Sequence, residues 1–180
     1  MSWRCGLPCP RRDGDDAGPG ERVGIDFGWL IGYVERVHER TYEAAAEIGD
    51  GVVDWRPRAG EWTFGEAVTH IANSRLMNLG TIAGRGARYG GHEPPPRATA
   101  QVLRRHLEDS SKRTLEGLRA ADLAAEVRTI RGQGVPAFQI VISGLIEHEV
   151  HHRSQLCEYL AAAGLAPPPL YGLHEEDLPR

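Results

Sequence analysis

Cysteine is scarce in this chain of 180 residues: Cys5, Cys9 and Cys157 are all there are. An odd, scattered set cannot make a disulfide framework, so the stapled secreted domains are excluded and a reducing compartment is expected. No apolar run reaches the roughly 18 residues of a membrane-crossing helix, which excludes a helical membrane anchor. Basic excess is missing too. Twenty-one Lys and Arg against twenty-five Asp and Glu leave a net charge of −4, so neither a nucleic-acid partner nor an anionic membrane surface is expected. The opening MSWRCGLPCPRR lacks the apolar core of a signal peptide, and the cytoplasm is the expected location. No repeat of fixed period occurs.

What is present is helical periodicity between two tails. Residues 1–23 are rich in Gly, Pro, Arg and Asp, bury too little apolar surface to offset their ordering entropy, and are expected to form a flexible tail. Residues 165–180 are a proline-rich extension whose Leu165, Leu170 and Tyr171 could dock on the folded part. Residues 24–164 are expected to form one all-α domain, a four-helix bundle. The first helix is expected from about Asp26 to Ile48, with Leu30, Val34, Val37, Thr41 and Ala45 on its stripe. The second runs from about Phe64 to Leu79, and Thr63 with Glu66 has the pattern of a capping box. The third spans about Ala100 to Leu118. A long linker, 121–135, carries a short extended piece at Val127–Ile130. The fourth helix starts at Pro136, a first-turn residue, and stops at Gly164.

Histidine placement carries the chemistry. His148 and His152 are four residues apart, so they fall within about 40° on one helix face. That face also bears Phe138, Val141, Leu145, Leu156 and Tyr159. Two imidazoles on adjacent turns of an apolar face are costly to bury unless something binds both. Their Cβ atoms lie roughly 6 Å apart, the spacing by which one helix offers two nitrogens to a metal ion. His70, in the middle of the second helix among Thr63, Ala67, Ser74 and Met77, is the candidate third ligand. The expected site is a divalent metal ion held by His70, His148 and His152. A lone histidine is more often a satisfied core residue, and the pairing is what tips the reading.

Other titratable residues read as structural. Glu66 is expected as the cap acceptor, with a role beside the metal as its alternative. Glu147 and Glu149 point to the sides of the stripe and are expected to be solvated or at interfaces. Gln155 could line the pocket, and Tyr159 reads as core. His151 sits at the stripe's edge as a boundary residue, a partner supporting one of the ligands, or a substitute ligand. His38 and His106 read as structural, and His92 and His174 as solvated. Cys157 points away from the histidines, so no serine or cysteine nucleophile is indicated.

Two segments resemble the signatures of the DinB/YfiT-like family. The stretch VDWRPRAGEWTFGEAVTHIANS, residues 53–74, has a Trp-x-Pro run, Trp62-Thr63 as a cap, and His70 on the helix that follows. HEVHHRSQL, residues 148–156, resembles the family's HExxHRGQL motif, with Ser154 where glycine is common. The resemblance implies an up-down-down-up bundle, a homodimer, and a three-histidine site for zinc or nickel matching His70, His148 and His152. It also implies either metal-dependent transfer of a low-molecular-weight thiol, such as bacillithiol or mycothiol, or metal-assisted hydrolysis. Three neutral nitrogens leave an open position on such an ion, where a thiol is deprotonated or a water acidified. The expected function is therefore a metal-dependent transferase that activates a small thiol and acts on a small-molecule substrate. A hydrolase, or a metal-binding stress-response protein without catalysis, stands as the alternative. Imidazole suits zinc, nickel, copper and iron alike, so the residues do not name the metal.

Overall fold

A computed structural model of the protein describes residues 25–169. The tail at 1–23 and the residues Leu170, Tyr171 and His174 lie outside this range, while Leu165 packs beside the core. The described residues fold into four helices: α1 (Gly28–Ala46), α2 (Phe64–Ile82), α3 (Ala100–Ala120) and α4. Helix α4 runs in three joined stretches, Ala137–Ile140, Val141–Glu147 and His148–Ala162. Its middle stretch takes the wider π geometry, an i→i+5 pattern that is uncommon at this length and recurs near functional sites.

Local chemistry sets the helix starts. At α2 the Thr63 hydroxyl accepts from the Glu66 amide at 3.1 Å, and the Glu66 carboxylate accepts from the Thr63 amide at 2.6 Å. That is the reciprocal box expected from the sequence. At α3 the Asp50 carboxylate takes the Ala100 amide at 2.7 Å and Thr99 caps Val102. Before α4 the linker forms a small antiparallel hairpin, β1 (Glu126–Arg128) with β2 (Gly134–Pro136), in which Val127 faces Val135. Pro136 is thus the last strand residue and the cap, not the first helical residue. The reason is local: the segment just before β1 supplies the carbonyls of Ala125 and Leu123 to the free amides of Ala137 and Phe138, both at 2.9 Å. Gly164 ends α4 at φ 76°.

The core is layered, and the layers give the topology. One apolar cluster holds Ala45 of α1 and Ile48 just after it, Phe64 to Ala72 of α2, Leu103 and Leu107 of α3, and Leu156 and Leu160 of α4. The other holds Leu30 and Val34, Ile82, Leu115 and Leu118, and Val141 and Leu145. Helices α1 and α4 therefore run from the second cluster to the first, and α2 and α3 run the opposite way. The arrangement is up-down-down-up, with α2 and α3 parallel and joined by the long connection 83–99. Gly144, in the π stretch, lets α4 approach α2 closely. A Cβ there would meet the Asn78 side chain at 2.3 Å, and the Asn78 amide donates to the Gly144 carbonyl at 2.9 Å.

Candidate metal centre

The π stretch delivers α4 to the site. His148 is the first residue of the α geometry that follows, and His152 comes one turn later. Across the antiparallel packing stands His70 of α2. The His70 Nε2 atom lies 3.1 Å from His148 Nε2 and 3.0 Å from His152 Nε2. One ring nitrogen from each residue lies within 4.8 Å of the others. An ion bound at about 2.0–2.1 Å in tetrahedral geometry holds its nitrogens about 3.3 Å apart, so the set fits a first-row divalent ion. Burial, reinforced by the neighbouring imidazoles, pushes His70 down to about 4. Burial likewise lowers His148 and His152. All three therefore present neutral nitrogens at neutral pH, the state that binds metal. Three facing lone pairs at this separation repel one another unless a cation or a proton lies among them.

The supporting shell comes from two directions. His152 Nδ1 lies 3.0 Å from Gln155 Oε1, so Gln155 bonds a site ring directly, where the sequence suggested only that it could line a pocket. His70 Nδ1 lies 2.5 Å from the hydroxyl of Tyr89. Sequence reasoning missed Tyr89, a lone aromatic in the glycine-rich connection, where no periodicity marks it. Trp62 forms one wall, with its ring centroid 4.6 Å from that of His70 and 5.6 Å from that of His152. His92 is not simply solvated: it is partly buried and stacks on Trp62, with ring centroids 5.2 Å apart. His151 is exposed beside His152 and is not among the converging nitrogens. Cys157 is buried, and burial raises its thiol pKa, so it is no nucleophile.

Between the two apolar clusters lies a buried ionic knot. Glu149, expected in solvent or at an interface, is 2% exposed. Its carboxylate takes both Nε and Nη2 of Arg75, at 2.7 and 2.5 Å. Arg75 also donates to the Leu107 carbonyl at 3.0 Å and to Ser110 at 3.3 Å. His38 of α1 completes it, with Nε2 at 3.5 Å from Glu149 and Nδ1 at 2.9 Å from Ser111. All four helices meet there. The correction has a physical reason: a helix wheel sees one helix, and a charge on an apolar stripe is stable inside only when another helix brings its partner. His106 also has a partner, Asn73, at 3.0 Å.

His38 sets a pH dependence. Burial outweighs the pull of Glu149 and lowers its pKa from 6.5 to about 4. A depressed imidazole binds fewer protons folded than unfolded, so its contribution is complete above the unfolded pKa and fades as pH falls from 6.5 to 4. At about 1.4 kcal/mol per unit, His38 alone accounts for a loss of about 3 kcal/mol across that window. Urea unfolding of metal-free protein is expected to show a clearly lower midpoint at pH 4.5 than at pH 7.5. Equal midpoints would contradict the assignment.

Comparison with known proteins agrees with this fold. The model of the DinB superfamily matches residues 33–156. A DinB-like protein from Bacillus cereus ATCC 10987 superposes with a TM-score of 0.69 at 21% identity, covering 79% of this chain and 95% of that one. YfiT from Bacillus subtilis is described as a probable metal-dependent hydrolase with an unusual four-helix bundle topology. It superposes with a TM-score of 0.60 at 17% identity, covering 82% of this chain and 94% of that one. A mycothiol-dependent maleylpyruvate isomerase gives 0.50 at 18% identity, with 79% of this chain and 62% of that one covered. No curated protein matches the chain. Among the described residues no helix is long and apolar enough to cross a membrane.

Proposed function

Since the chain belongs to the DinB superfamily, we propose that it is a metal-dependent enzyme that holds a zinc or nickel ion on His70, His148 and His152 and activates a low-molecular-weight thiol for transfer to a small electrophile. The observation that carries this reading is the meeting of three neutral imidazole nitrogens, with His70 Nε2 3.0–3.1 Å from the other two. A bound ion supplies Lewis acidity at its open position, which makes a thiol or a water nucleophilic at neutral pH. The chain's own residues do the rest. Trp62 walls one side of the centre and limits water there. Tyr89 and Gln155 hold two of the rings by their Nδ1 atoms.

Hydrolysis is the second reading, favoured by the likeness to YfiT over nearly the whole length of that protein. The thiol reading draws on the likeness to the mycothiol-dependent isomerase. Assembly as a homodimer belongs to the same proposal, and exposed Trp29 and Tyr33, one turn apart on α1, suit a covered surface. The deciding experiment is elemental analysis of gently purified protein together with mass spectrometry for a carried thiol. About one equivalent of metal and a co-purified thiol support transfer. Metal without thiol, plus esterase or amidase turnover, supports hydrolysis. Less than about half an equivalent of metal under conditions that preserve weak sites would remove the catalytic reading.

A further inference from the structure

A chain of polar side chains runs away from His152. The His152 Nδ1 atom lies 3.0 Å from Gln155 Oε1. The Gln155 amide nitrogen donates to the Tyr159 hydroxyl at 3.3 Å. The Tyr159 hydroxyl lies 3.4 Å from Glu61 Oε2. Arg58 Nε holds the other oxygen of Glu61 at 3.1 Å. Gln155 and Tyr159 lie on α4, one and two turns beyond His152, whereas Glu61 precedes the cap of α2. The chain therefore ties the two helices that carry the three histidines.

Each link has only one workable direction. A carboxylate only accepts, so Glu61 takes the hydroxyl hydrogen of Tyr159. With that hydrogen committed, the Tyr159 oxygen accepts from the Gln155 NH2 group. The amide is then oriented with its oxygen toward His152, and an amide oxygen only accepts. His152 must therefore carry its proton on Nδ1 and present a bare lone pair at Nε2, the atom that faces His70.

We infer that Gln155, oriented by Tyr159 and Glu61, is a positioning residue that fixes the His152 ring in its metal-binding tautomer. This rests on the metal reading above, but the tautomer itself exists without any ion. The partners of a metal-binding imidazole commonly change affinity by about 10–100-fold when lost, and that is the expected size here. Three variants separate the roles. Gln155→Leu removes the acceptor, Gln155→Glu keeps it, and Tyr159→Phe keeps it but frees the amide to turn over.

Two measurements on the full chain test this. Nitrogen-15 shifts of the His152 ring in metal-free protein are expected to report a proton on Nδ1 in the wild type and in Gln155→Glu. Gln155→Leu should move the population toward Nε2, with Tyr159→Phe between. Competition of zinc against a chromophoric chelator should show affinity weaker by about 10–100-fold in Gln155→Leu and close to wild type in Gln155→Glu. An unchanged tautomer and unchanged zinc affinity in Gln155→Leu overturn the proposal. Should Gln155→Leu fail to fold, Tyr159→Phe and Gln155→Glu still separate the outcomes. A wild type that takes up no zinc overturns the metal reading, while the ring shifts continue to decide the relay.

Discussion

Replacing His152 by alanine is expected to cut bound metal from about one equivalent to almost none after dialysis, with the helical content retained. A ligand removed outright costs more than the about 10–100-fold typical of its supporting partners, and two imidazoles that remain do not close a structural or catalytic site. His148→Ala and His70→Ala should behave alike, because His70 Nε2 stands within about one ligand-to-ligand spacing of both partners. The control is His106→Ala: that ring bonds Asn73, outside the centre, and its loss should leave metal content unchanged. Metal retained in His70→Ala but lost from the other two would show that α2 supplies no ligand, and the third donor would have to be found elsewhere.

The second large effect is on stability. Glu149→Gln is expected to lower unfolding free energy by about 3–5 kcal/mol, since it leaves the Arg75 guanidinium buried without its counter-charge. Arg75→Met should cost a similar amount by stranding the carboxylate. The Arg75→Met, Glu149→Leu double variant should be far less damaging than the sum of the two, because it replaces the charges with apolar volume. Denaturant unfolding of the four proteins closes the cycle. Additive losses would mean that the pair at 2.5 and 2.7 Å does not act as a unit. The knot also sits beside the candidate centre, with Glu149 next to His148 and Arg75 five residues beyond His70. Loosened spacing between α2 and α4 should therefore show as weaker metal uptake in the single variants.

The bundle was legible because its stripes are long and its caps are explicit. Thr63 with Glu66 marked the start of α2, and Gly164 marked the end of α4. The histidine triad was legible for a different reason. Two of its members are one turn apart on an apolar face, where imidazole needs an explanation, and the third sits mid-helix among small neighbours. The ionic knot was not read, although its signal was there. Arg75 lies four residues from both Ile71 and Leu79, and Glu149 four residues after Leu145, so each charge occupies an apolar stripe. Two such misplaced charges of opposite sign on different helices point to each other, a step that scoring helices one at a time cannot take. Tyr89 carried no signal, because a loop residue's position depends on the path of the chain. The wheel for α4 also assumed a uniform turn, which the π stretch over Val141–Glu147 breaks.

The parallel run of α2 and α3 forces the polypeptide to travel back along the bundle, about 28 Å for a helix the length of α2, before α3 can begin. This return leg, residues 83–99, contributes Tyr89 and His92 to the surroundings of the histidines but only partly buried side chains to the apolar layers. The helical scaffold and part of the outer surroundings of the histidines are therefore supplied by separate parts of the molecule. Exchanges at its exposed positions are expected to alter the polar surroundings of the histidines, Tyr89 above all, while the four helices keep their packing.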